Sequence, residues 1–230
     1  MSSPTPSESN QQKLELAALS SNPIELPCSA TGCLMPRSYG NSVTGKLKRK
    51  LEFEDGRHVA KTALRMLDCD EEIQKGEDRC PIWPAGFVGS ISHSENFAWA
   101  VAGTENEFRG IGIDTEPVAD EMTAHHLRAE IGIDSEWWLG ESAGLTTLES
   151  FTTIFSAKES IYKCVYPLSP VFFGFHHVRV VEFGPRNLRL RFQADCPNKL
   201  LGTQEVDVSY ITTESNSFTA CWLLADGGIR

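Results

Sequence analysis

Two rhythms of apolar and polar positions alternate along this chain. Over residues 46–69, KLKRKLEFEDGRHVAKTALRMLDC, the residues Gly56, Ala60, Ala63, Leu64 and Leu67 recur along one face at helical spacing. This predicts a helix whose small side chains allow close approach to a neighbour. Residues 70–86 interrupt the rhythm with Gly76, Pro81, Pro84 and Gly86 and read as a loop. FVGSIS and FAWAVAG then suit paired strands with a turn around SHSEN. FRGIGIDTEPV follows as a short strand that Pro117 stops. Residues 121–165 carry two or three helices. After them HHVRVVEF, LRLRFQA, EVDVSYIT and SFTACWLLA return to strand patterns. Helix and strands, then helices and strands again, predict an α+β architecture in two halves joined near residues 110–118. Residues 1–12, rich in Ser, Pro, Glu and Gln, predict a disordered tail. The expected division is therefore 1–12, 13–112 and 113–230, although no sequence repeat relates the two halves.

Length and composition narrow this picture. The 230 residues suffice for one sizeable domain or two small ones sharing an interface. A formal net charge of -10 argues against a general nucleic-acid binder, whose phosphate contacts need a basic surface. It leaves room for a local basic cleft that takes a small phosphorylated ligand. The seven cysteines form no C-x-x-C pair and no zinc-like Cys/His spacing, which predicts reduced thiols in a reducing compartment. The polar N-terminus lacks the apolar stretch of a signal peptide. No apolar run reaches the ~18 residues that a membrane-spanning helix needs. A cytoplasmic protein is expected.

Candidate chemistry is concentrated in four places. In GIGIDTEP, Asp114 and Glu116 stand two apart, so a strand would point both carboxylates to one face and Ile113 and Thr115 to the other. Such a pair is either two acids at an exposed strand end or a hard-cation site, since Mg²⁺ takes carboxylate oxygens together with substrate phosphates. In FSAKESIYK, Phe151, Phe155, Tyr162 and Val165 make an apolar helical arc with Lys158 near its middle and Glu159 and Lys163 on its rim. Lys158 either snorkels past that arc or lines an anion-holding cleft. In GSISHS, Ser92 and His93 suit a phosphate grip better than nucleophilic catalysis. Lys46, Lys48, Arg49 and Lys50 form a basic cluster, and Arg57 follows Arg49 by a little over two helical turns. That face is either solvated or convergent on one polyanion.

In combination and in order, KRKLEFEDGRHVA, PIWPAGFVGSISHS, GIGIDTEP and FSAKESIYK resemble the 4′-phosphopantetheinyl transferases, more closely the group serving enterobactin and related nonribosomal peptide synthetases. The resemblance spans residues 48–163, about half of the chain. It implies two similar α/β halves in one chain, a pseudo-dimeric fold with the active site between them. The N-terminal half would bind coenzyme A, and the C-terminal half would bind Mg²⁺ and carry catalysis. The reaction implied is Mg²⁺-dependent transfer of the 4′-phosphopantetheine arm of coenzyme A to a serine of an apo acyl or peptidyl carrier protein, releasing adenosine 3′,5′-bisphosphate. Asp114, Glu116 and Glu159 would hold the metal. Glu159 is also the candidate base for the serine proton, and the two roles compete. Lys158 and Lys163 would contact the phosphates. Arg49, Arg57, Ser92 and His93 would grip coenzyme A, and Lys75 or Arg79 would touch its adenine end. Siderophore, peptide, polyketide and fatty-acid carriers are all open as partners. The KLKRK cluster is either a docking aid for the carrier or a solvated face. The self-contained two-half chain suggests a monomer. Within the matched motifs Thr115 departs from the usual aliphatic residue. A phosphohydrolase or a non-catalytic coenzyme A binder would explain fewer of the four motifs.

Overall fold

The computed structural model describes residue 24 and residues 26–27, 29–37, 43–76, 80–201 and 204–226. The expected N-terminal tail, Cys28 and Arg79 lie outside the described residues. The N-terminal half is a sheet of β1 (Thr31–Pro36), β4 (Phe87–His93) and β5 (Phe97–Thr104), in the order β1-β5-β4. Helix α1 (Gly45–Arg65) covers one face of it, and the short strands β2 (Gln74–Lys75) and β3 (Pro81–Ile82) pair beside it. The C-terminal half is a sheet of β6 (Phe108–Pro117), β7 (Val178–Phe183), β8 (Asn187–Phe192), β9 (Glu205–Thr212) and β10 (Asn216–Leu224), in the order β6-β10-β9-β8-β7. Helices α2 (Glu121–Ile131), α3 (Asp134–Ser142) and α4 (Thr147–Val165) follow β6 in the chain. The expected two halves, each a sheet with helix, are present.

Strand β5 shows why the halves form. Its odd positions Phe97, Trp99 and Val101 are large and pack against Ile111, Ile113, Phe218, Ala220 and Trp222 of the other half. Its even positions Ala98, Ala100 and Ala102 are small and receive Val59, Ala60, Ala63 and Leu64 of α1. A strand buried on both faces reads as the continuous apolar run seen in the sequence. β1 carries no such run: TGCLMP contains a glycine and ends in proline, and its strand state comes from its antiparallel pairing along β5. Nothing in the sequence pattern marks it.

Helix α4 has strong local causes. Thr146 caps it by accepting from the Glu149 amide, and the Glu149 side chain accepts from the Thr146 amide in return. Its apolar face, with Phe151, Ile154, Ala157 and Ile161, joins the largest core. A second face of small and hydroxyl residues lies against β6 at its glycines. A Cβ on Gly112 would stand 1.8 Å from the Ser160 carbonyl oxygen, so only glycine permits this approach.

The two sheets meet edge to edge at β4 and β6, which run in the same direction. Serine hydroxyls stand in for backbone acceptors along that seam. Ser90 Oγ accepts from the Ile113 amide and Ser92 Oγ from the Thr115 amide, each at 3.1 Å. These bonds satisfy amides that an edge strand would otherwise leave unpaired. At one end of the seam the amide groups of Asn96 and Asn216 join, and Asn216 also donates to Ser94 Oγ. The turn that carries His93 is thereby tied to both halves. Among the described residues no helix is long and apolar enough to cross a membrane, and Cys33, Cys69, Cys164, Cys196 and Cys221 are free thiols.

Candidate active site

Asp114 lies at the centre of the seam, 2% exposed. Its Oδ1 accepts from Lys163 Nζ at 2.6 Å and from Ser92 Oγ at 3.0 Å, and its Oδ2 accepts from Ser156 Oγ at 2.8 Å. Strand periodicity turns Asp114 toward α4 and Ile113 into the opposite core, as the i, i+2 spacing implies. Glu116 is on the same face of β6, and Glu159 is on α4 one turn before Lys163.

The carboxylates disturb one another. Burial, then the charge of Asp114 and that of Glu159, push Glu116 up to about 8 against the partial relief of Lys163. Burial and Asp114 likewise raise Glu159. Both shifts mark a place where negative charge is short of a positive partner. Burial is also the largest influence on His93 and lowers its pKa, with Glu52 and Asp114 opposing and Lys163 and Arg37 assisting. Asp114, Glu116, Glu159, Lys163 and His93 are thus one electrostatic neighbourhood.

Three cavities open from it. The first, about 740 Å³, is lined by His93, Lys46, Arg49, Lys50, Arg57 and Lys75, together with Phe53, Pro81 and Ile91. Arg49 and Arg57 do converge, because α1 runs unbroken between them. Phe53, one turn before Arg57, receives the Arg57 guanidinium over its ring at 4.9 Å and Lys75 Nζ at 5.8 Å. Arg57 Nη1 is buried with no hydrogen-bond partner among the described residues. A buried cationic donor of this kind suits an anionic ligand. The second cavity, about 680 Å³, has Lys163, Ser90 and Gly89 among its lining, and the third, about 550 Å³, has Glu159 and the aromatic run Phe172, Phe173 and Phe175. Pro81 and Ile91 line both the first and the second, and Tyr162 lines both the second and the third. The first is lined by the N-terminal half, the third by the C-terminal half, and the second, lined by both, adjoins each of them.

Among the described residues no group of three His, Cys, Asp or Glu side chains stands in metal-holding geometry. Lys163 engages the Asp114 oxygen instead. The donor set still fits a hard cation, since it offers carboxylate oxygens and one of them belongs to an acid that burial and its neighbouring carboxylates have raised to about 8.

Two of the residues expected at the phosphates have partners within the chain. Lys158 is 3% exposed, and its Nζ lies 2.8 Å from Glu136 Oε1 and donates to the Ile131 carbonyl. The apolar arc tolerates Lys158 because α3 supplies a buried counter-charge. Glu136 also accepts from the amides of Ile133 and Val180, so the pair knits α3, α4 and β7 together. The hydroxyl of Ser92 is saturated: it donates to Asp114 and accepts from Thr115 and Lys163. In the basic cluster, Lys48 pairs with Glu95 and Lys50 with Glu54. Periodicity alone did not bring Glu136, Ser156 or Phe53 into view. The i, i+4 step from Phe53 to Arg57 was the one local signal available.

Comparison with known proteins completes the argument. Residues 42–103 match the profile of a 4′-phosphopantetheinyl transferase N-terminal domain, and residues 110–219 match that of the 4′-phosphopantetheinyl transferase superfamily. The chain is 34% identical over 194 residues to 4′-phosphopantetheinyl transferase Npt of Nocardia iowensis, covering 79% of this chain and 80% of that protein. It belongs to the 4′-phosphopantetheinyl transferase family. Two further similar proteins are PptT of Mycobacterium tuberculosis, 32% identical over 134 residues and 58% of each chain, and enterobactin synthase component D of Salmonella typhimurium, 38% identical over 116 residues, 50% of this chain and 48% of that one. Members of the family transfer phosphopantetheine from coenzyme A to carrier proteins. In this transferase both profiles approach the seam that bears the carboxylates. The second spans GIGIDTEP and FSAKESIYK, and the first spans the helix and strand that line the basic cavity.

Proposed function

We propose that the cleft between the halves is where this transferase moves the phosphopantetheine arm of coenzyme A to a carrier serine, with Mg²⁺ held by Asp114, Glu116 and Glu159. The observation that carries this is the meeting of three mutually repelling carboxylates and Lys163 beside a cavity rich in Lys and Arg. Mg²⁺, when bound, supplies charge neutralisation at the pyrophosphate. The chain's own residues do the rest. Arg49, Arg57, Lys75 and His93 hold the nucleotide end of coenzyme A. The 3′-phosphate answers the buried donor of Arg57. Lys163, 30% exposed at its side chain, passes from Asp114 to a pyrophosphate oxygen as substrate arrives. The carrier serine attacks the phosphorus bearing the pantetheine arm. The bond to the other phosphate breaks, and adenosine 3′,5′-bisphosphate leaves. Glu159 is also the candidate to take the serine proton, directly or through water, a role that competes with its holding the metal. Its raised pKa brings it nearer the range in which a base works well at neutral pH. Lys158 is left out of the phosphate contacts, since Glu136 already holds it. The likeness to enterobactin synthase component D supports peptidyl carriers as the first substrates to try.

Calorimetric titration with coenzyme A tests the nucleotide end. Arg57→Ala is expected to weaken binding by about tenfold or more, as loss of a charge-assisted contact does. Affinity equal to wild type would remove the basic cavity as the nucleotide site.

A further inference from the structure

We infer that Ser156 is a positioning residue for Asp114, set in place by Thr219 behind it. The inference rests on the proposed role of Asp114 as a cation ligand. Asp114 sits opposite Thr219 in the β6–β10 ladder. Ser156 Oγ lies 2.8 Å from Asp114 Oδ2 and 2.9 Å from Thr219 Oγ1, and all three side chains are buried. Asp114 accepts from the Lys163 ammonium on Oδ1, and the Ser156 hydroxyl gives its single proton to Oδ2. Its lone pair then accepts from Thr219. The chain of protons therefore has one direction, Thr219 to Ser156 to Asp114. Ser92 makes the matching contact on Oδ1 from the other half. One hydroxyl from each half thus fixes the plane of the carboxylate. Two donors on Oδ1 and one on Oδ2 leave one of its roughly four acceptor positions open, on the oxygen that Ser156 orients.

Ser156 also stands one helical turn before Glu159, so the same face of α4 orients one acidic ligand and supplies another. With Ser156 removed, Asp114 is free to turn further toward Lys163, the competitor for its charge. Partners that orient a ligating carboxylate typically change metal affinity by about 10–100-fold when lost.

Nearby hydroxyls provide a built-in control. One turn earlier, Thr153 Oγ1 contacts Thr212 Oγ1 and Ser217 Oγ, and these two lie 3.4 Å apart themselves. Thr153 belongs to the same helix face, and its described partners are hydroxyls rather than a carboxylate. Thr153→Val therefore reports on packing of the seam alone.

The experiment is titration of the full chain with Mn²⁺, without coenzyme A, followed by the electron paramagnetic resonance of the free ion. Ser156→Ala is expected to weaken Mn²⁺ binding about tenfold, and Thr153→Val to stay within about twofold of wild type. In turnover, Ser156→Ala is expected to lower kcat while leaving the KM for coenzyme A nearly unchanged, because the nucleotide end is gripped elsewhere. Wild-type Mn²⁺ affinity in Ser156→Ala overturns the inference, as does an equal loss in Thr153→Val. Where Ser156→Ala does not fold, Ser156→Cys keeps the volume and weakens the donor, and unchanged affinity there also overturns it. Asp114→Asn separates the two levels: wild-type Mn²⁺ affinity in that variant would refute the carboxylate site itself.

Discussion

At the scale of single residues, Glu116 is the most telling group. Burial and two neighbouring carboxylates lift it from an ordinary 4.5 to about 8. A raised carboxyl keeps its proton in the folded state over the interval where the unfolded chain has already lost it. Its contribution to stability is therefore full below about 4.5 and disappears as pH climbs through about 8. Glu116→Gln carries the neutral form at every pH. In a chelator, this variant should melt close to wild type near pH 4.5, increasingly above it as pH rises towards 8, and by a constant margin beyond. Mg²⁺ should stabilise the wild type more at the higher pH, since the cation replaces the proton. A melting difference that does not change with pH would contradict this account. Residue chemistry was partly legible in the sequence. The i, i+2 pair Asp114 and Glu116 and the pair Glu159 and Lys163 are local patterns, and periodicity alone groups them. Lys158 was not legible, because its partner Glu136 lies 22 positions away on another helix. Ser156 was equally hidden, since its value comes from Asp114 and Thr219 on two different strands.

At the scale of elements, the decisive contact is α4 lying on β6. A Cβ at Gly112 would meet the Ser160 carbonyl at 1.8 Å and Cys164 Cβ at 2.7 Å. Backbone cannot give way as a flexible side chain can. Gly112→Ala should push α4 away from β6 and carry Ser156, Glu159 and Lys163 from Asp114. A loss of about 3 kcal/mol in denaturant unfolding is expected, the upper end for an overpacked core, together with loss of transfer. Unchanged stability would mean that the helix does not rest on the strand as described. The elements themselves were readable wherever period and punctuation agreed. The α1 face, the β4–β5 hairpin, the Pro117 stop and the last four strands are such cases. β1 was not readable, because tertiary pairing along β5 makes it a strand. The serine seam between β4 and β6 could not be read either, since strand period says which face Ser90 and Ser92 take and not which amides they meet.

At the scale of the whole molecule, an acidic chain of net charge -10 concentrates Lys46, Arg49, Lys50, Arg57 and Lys75 around one cavity. His93 lines that cavity and feels the charge of Asp114 and Lys163, so the proposed account places substrate charge and metal charge side by side. The two halves contribute unlike parts: α1 and β4 bring the basic side chains and His93 of the first cavity, and β6 and α4 bring the acids. Neither half holds the site alone, which follows from Asp114 taking one hydroxyl from each. The most direct test of this arrangement is the intact mass of an apo peptidyl carrier protein after incubation with this transferase, coenzyme A and Mg²⁺, beside the same reaction with Glu159→Ala. The account predicts a gain of one phosphopantetheine arm with the wild type and none with the variant. An equal gain with Glu159→Ala would contradict it.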